Sequence, residues 1–162
     1  FNLVPFFGIF CFLILTLFLT ACGGGKDEWK PAQQTYSLLG FSVEYSYPDG
    51  YETLSSDDDA VFMILKDKSN TSDWSLLVDI NDMYYTDFCD YKGECAESAA
   101  DISKTKEVWI LKYTEPYEQT VMLKWFECGK MLIVNKANDF ELEKALEVAD
   151  SIKIDVFGND VR

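Results

Sequence analysis

The chain opens on an almost unbroken apolar run, residues 3–19, interrupted only by Pro5, Gly8 and Thr16. Polar and apolar positions then alternate in short bursts. Phe41, Val43 and Tyr45 alternate with Ser42, Glu44 and Ser46, the period of two expected of a half-buried strand. Pro48-Asp49-Gly50 predicts a turn, and Tyr51–Leu54 a weaker strand. Ala60–Leu65 is a short continuous apolar strand. Trp74–Ile80 predicts another strand, with Trp74, Leu76, Val78 and Ile80 on one face. Residues 81–94 show no clear period. Cys95, Ala96, Ala99 and Ile102 then fall at helical spacing, predicting a short helix over about 94–104.

Further strands are expected at Glu107–Thr114, Tyr117–Glu127 and Met131–Lys136. The last two are joined by a tight reversal at Cys128-Gly129-Lys130. Asn138 starts the clearest helix, expected to about residue 151. Glu141 stands three residues on in a capping-box arrangement, and Leu142, Ala145, Leu146, Ala149 and Ile152 make one apolar stripe. Lys153–Phe157 ends the pattern as a short strand. Strands joined by hairpins pair antiparallel, so the expected fold is α+β: an antiparallel sheet of five or more strands with two helices on its faces.

The flanks of the first apolar run decide its nature. It ends at Leu19-Thr20-Ala21-Cys22, followed by three glycines. Small residues before a cleavage point, with a cysteine directly after it, resemble the lipobox of bacterial lipoproteins. The resemblance implies a signal peptide over 1–21, lipidation of Cys22 and attachment to a membrane through that lipid. The sequence begins with Phe1 and has no basic residue ahead of the run, unlike a typical signal peptide. In Gram-negative lipoproteins an Asp after the lipidated cysteine favours the inner membrane. Gly23 therefore implies the outer membrane of the cell envelope. Residues 22–35, rich in Gly and then polar, read as a flexible tether, 36–157 as one α+β domain and 158–162 as a tail.

A second resemblance starts at Gly40-Phe41-Ser42-Val43-Glu44-Tyr45 and Tyr47-Pro48-Asp49-Gly50-Tyr51, and closes at Ala149-Asp150-Ser151-Ile152. These segments resemble PsbP-like domains. That family implies an antiparallel sheet sandwiched by helices, and accessory or binding roles rather than a catalytic set.

Composition narrows the function. The chain has 28 acidic residues against 14 Lys and Arg, a net charge of −14, and every charge follows residue 25. Such a chain repels phosphate backbones, so nucleic acid is not an expected partner. There is no His, which removes the commonest general base and metal ligand. No Cys-x-x-Cys, nucleophile elbow or phosphate loop is present, so neither a metal nor a cofactor is expected. Of the five cysteines, Cys11 leaves with the leader and Cys22 carries lipid, leaving Cys89, Cys95 and Cys128. Thiols outside the cytoplasm tend to pair. A Cys89–Cys95 disulfide is the expectation, with Cys128 as the alternative partner for either.

The candidate site is the aperiodic stretch 82–101. It concentrates Tyr84, Tyr85, Phe88 and Tyr91 among Asp82, Asp87, Asp90, Glu94, Glu97 and Asp101. Loop tyrosines offer contact area at low entropic cost, and the acids would steer a basic peptide. The plainer alternative is that the aromatics plug the core edge while the acids stay solvated. The expectation is a non-enzymatic, membrane-anchored binding or accessory protein with a protein or peptide partner. Its binding residues would be Tyr84, Tyr85, Asp87, Phe88, Asp90 and Tyr91. The rivals are an envelope hydrolase with paired carboxylates and a structural lipoprotein without a ligand.

Overall fold

The structure, a computed structural model, describes residues 28–56, 58–65 and 74–157. Cys11, Cys22 and the rest of the lipobox lie outside the described residues. So do residues 57 and 66–73 and the tail 158–162.

Ten strands and two helices are described. In chain order they are β1 (Trp29–Tyr36), β2 (Phe41–Pro48), β3 (Glu52–Ser55), β4 (Val61–Leu65), β5 (Trp74–Asp82), α1 (Tyr85–Ser98), β6 (Asp101–Thr105), β7 (Val108–Tyr113), β8 (Gln119–Phe126), β9 (Lys130–Lys136), α2 (Leu142–Ser151) and β10 (Lys153–Val156). They form a seven-stranded sheet, β3-β4-β5-β9-β8-β7-β6, and a three-stranded one, β1-β2-β10. Every pairing is antiparallel. This is the expected α+β class, and the β8–β9 hairpin lies within the larger sheet as expected.

Alternation along each strand gives the large sheet two apolar faces. Ile110, Met122, Val134, Val78 and Phe62 are consecutive cross-strand partners, all buried. They join Tyr36, Phe41, Val43 and Tyr45 of the small sheet and Ala145, Val148 and Ala149 of α2 in one core cluster. On the opposite face Leu111, Leu123 and Met131 form a second cluster with Phe88 of α1. Each helix thus covers one face, and each is held by an apolar stripe at helical spacing.

Three sequence-based expectations are corrected. The first concerns the tether: Trp29–Tyr36 is a strand, paired with β2 from Trp29↔Pro48 to Tyr36↔Phe41. The ordered domain therefore begins ahead of residue 36. The inward positions of β1 are Ala32, Gln34 and Tyr36, a weak apolar signal, and Pro31 is tolerated because β1 is an edge strand. The second concerns the helix expected over 94–104. A helix instead covers Tyr85–Ser98, and Asp101–Thr105 is the edge strand β6, exposed at every residue. The Cys95, Ala96, Ala99, Ile102 spacing ran across this boundary.

The third concerns the helix expected from Asn138, which starts at Leu142 after an N-cap at Glu141 that makes no side-chain capping bond. The capping box does not form because Phe140 turns into the core, edge-on to Tyr51 at 5.4 Å. Phe140 directly precedes the N-cap, the place from which an apolar residue fixes the chain's entry into a helix. Lys136 organises the turn, its ammonium donating to the carbonyls of Ala137 and Phe140, both at 2.8 Å. Burial lowers its pKa.

Candidate functional site

The helix α1 follows the end of β5 through a short, tightly held link. The Met83 N–H donates to the Gly129 carbonyl at the β8–β9 turn, 2.9 Å away. Gly129 supplies the positive φ of +79° that this turn requires. The Trp125 indole N–H donates to the Met83 carbonyl at 3.2 Å. Tyr84 is the N-cap residue, and its carbonyl accepts the Phe88 N–H at 2.9 Å. The start of α1 is therefore clamped to the hairpin.

Phe88 is buried against Leu111, Leu123 and Met131, so it anchors the helix and offers no surface to a partner. Tyr91 is half-buried in the same cluster. Its pKa is pushed up to about 12, chiefly by burial and next by a hydrogen bond with the Cys95 side chain. Tyr113 donates its hydroxyl to the Cys95 carbonyl at 3.1 Å. These groups hold the helix on the sheet. The expectation of binding roles for Phe88 and Tyr91 is corrected accordingly: the plainer reading applies to both.

Tyr84 and Tyr85 behave otherwise. They are 80% and 58% exposed. The Tyr85 ring meets Trp125 edge-on at 4.9 Å, which fixes it without covering it. Trp125, in β8, is only half-buried and forms the floor of this patch. Its part was not visible in the sequence, since it depends on the hairpin meeting α1.

The acids fall into order once the segment is helical. Asp87, Asp90, Glu94 and Glu97 are spaced three, four and three apart, which places them on one side of α1, and all four are exposed. Asp87, in the first turn, also suits the positive end of the helix dipole. Lys92 does not interrupt this stripe. Its ammonium lies over the Trp109 ring, 4.2 Å from the centroid.

The Cys89–Cys95 disulfide is corrected by the same helix. Six residues of α-helix separate the two by roughly 9 Å along the axis and about 240° around it. A bridge needs Cα atoms about 4.4–6.8 Å apart. Both thiols are free, as is the exposed Cys128. Each helix thiol has a tyrosine partner one turn earlier instead. Tyr85 hydrogen-bonds Cys89, which raises the Tyr85 pKa, and Tyr91 hydrogen-bonds Cys95. Among the described residues no three Cys, Asp or Glu side chains converge as a metal site would require.

No family model and no curated protein matches the chain. Among solved structures it is similar to the solution structure of cyanobacterial PsbP (CyanoP) from Synechocystis sp. PCC 6803. That likeness has 13% identity, covers 82% of this chain and 96% of that one, and has a TM-score of 0.49.

Proposed function

We propose that this is a lipid-anchored accessory protein of the bacterial cell envelope, held in the outer membrane where there is one, that captures a protein or peptide with a basic surface. The observation that carries the reading is the acidic stripe Asp87, Asp90, Glu94 and Glu97, which runs from the exposed pair Tyr84 and Tyr85. Stripe and rings sit on a helix clamped at its start, so little order has to be gained on binding. The acids speed encounter with a basic partner and the rings supply contact area.

Crosslinking and pull-down from intact cells test the capture. Asp87→Lys with Asp90→Lys is expected to cut partner recovery severalfold while lowering the melting temperature by only a few degrees, about the cost of opposing the helix dipole. Undiminished recovery would place the working surface elsewhere. The anchor has its own test, because it rests on Leu19-Thr20-Ala21-Cys22 alone. Cys22→Ala is expected to abolish metabolic labelling with palmitate and leave an unprocessed precursor. Labelling that survives the change would remove the anchor from the proposal.

A further inference from the structure

The end of the sandwich opposite neither helix face holds a second feature. Where the β1–β2 turn meets the ends of β4, β5 and β9, an open cleft of about 370 Å³ enters between the two sheets. Its wall mixes two chemistries. Leu39, 44% exposed, gives it apolar surface over a floor of buried Phe41, Ala60 and Ile80, and Asp58, Asp59 and Asp82 bring three carboxylates. One ammonium, that of Lys130, stands against them. It is already committed: the Lys130 side chain is only 7% exposed, pairs with Asp82, and lies 4.2 Å from the Phe41 ring centroid. Among the described residues no cation pairs with Asp58 or Asp59.

The apolar surface continues outside the cleft. Leu38 and Leu39, at the tip of the β1–β2 turn, are 80% and 44% exposed, and Phe157 beside them is also exposed. The turn is firmly built. The Tyr36 carbonyl accepts the N–H groups of Leu39 and Gly40, and the Phe157 N–H donates to the Gly40 carbonyl at 2.9 Å. Gly40 has φ of +74°, and a Cβ there would lie 3.1 Å from the Phe157 carbonyl oxygen. Two leucines are thus held in water by a turn whose conformation is fixed, next to an acidic mouth.

We infer that this cleft and its leucine tip dock an extended segment of a partner protein that carries Lys or Arg beside apolar side chains. Charge complementarity selects the occupant. A lysine or arginine lays its apolar stem along Leu39 while its head meets Asp58 and Asp59. A small free amine would satisfy the carboxylates and leave Leu38 wet. An anionic lipid surface would be repelled by the same carboxylates. The inference rests on the reading that this protein captures basic partners, but it uses a different surface from α1.

Fluorescence anisotropy tests it with a labelled octapeptide of alternating Lys and Leu. The full chain is carried in zwitterionic nanodiscs, with empty nanodiscs as the blank. Asp58→Asn with Asp59→Asn, and separately Leu38→Ser with Leu39→Ser, are each expected to weaken binding roughly fivefold to tenfold. Tyr84→Ala with Tyr85→Ala, and Asp87→Lys with Asp90→Lys, should leave it within about twofold. An alternating Lys and Ser peptide should bind as weakly as the leucine variant binds the original. Equal binding by the wild type and both cleft variants would overturn the inference. So would a loss confined to the carboxylate pair together with full competition by cadaverine, which would mark a small-amine pocket. Loss in the α1 variants alone would assign the peptide to the helix stripe. Failure of capture from cells, with peptide binding still dependent on the cleft, would sink the α1 reading and leave this one standing.

Discussion

A chain that begins at Ser37, one residue past the domain start that the sequence pattern places at Tyr36, is expected to be largely unfolded at room temperature, whereas one that begins at Glu28 should melt cooperatively. The difference is β1. Its eight residues pair with β2 along the whole ladder, from Trp29↔Pro48 to Tyr36↔Phe41. Without it β2 keeps only the four-residue pairing with β10. Tyr36 is fully buried, its ring 5.2 Å from that of Phe41, and Trp29 and Ala32 pack on the same core. Removing one large buried aromatic costs about 3–5 kcal/mol, and the backbone groups of β2 would also lose their partners. A domain of this size has about 5–15 kcal/mol in all. Circular dichroism melts of the two chains give the comparison. Similar melting temperatures would show that β1 is dispensable and that the tether extends to residue 36 after all.

What the sequence made legible follows from where its apolar residues lie. The β8–β9 hairpin and the stripe of α2 were readable because their inward positions are Met122, Leu132, Val134, Ala145 and Ala149, set at the period of the element that carries them. β1 was hidden by inward Ala32 and Gln34, and β6 by having no buried residue at all. The helix α1 was hidden in a different way. Its inward stripe, Phe88, Tyr91 and Cys95, has helical spacing, but acids separate those residues, Gly93 interrupts the run and no side chain caps the start. The exposed pair Tyr84 and Tyr85 and the acids around them were chosen from composition alone. The helix turns those acids into a stripe and removes Phe88 and the disulfide from the site. The floor that Trp125 provides, and the cleft between the β1–β2 turn and Lys130, depend on residues more than 40 positions apart. No local pattern encodes such meetings.

Phe62→Ala is expected to lower the melting temperature by roughly 12–20 °C, the second large effect, since a loss of about 3–5 kcal/mol shifts a domain of this length by a few degrees per kcal/mol. Phe62 is wholly buried in β4. Its ring stacks on that of Tyr45 in β2 at a centroid distance of 4.4 Å, a direct contact between the two sheets within their shared core. Truncation would leave a cavity between rigid layers that cannot close up, because each sheet is held by its own ladder. Leu54, one strand away on β3 and 45% exposed, is the control. Leu54→Ala should move the melting temperature by only a degree or two, as surface changes do. Because the cleft at the sandwich end lies between the same two sheets, Phe62→Ala should also weaken binding of the Lys and Leu peptide. Leu54→Ala should not. Near-equal melting of the two variants would mean that the Tyr45–Phe62 stack contributes little to holding the layers together.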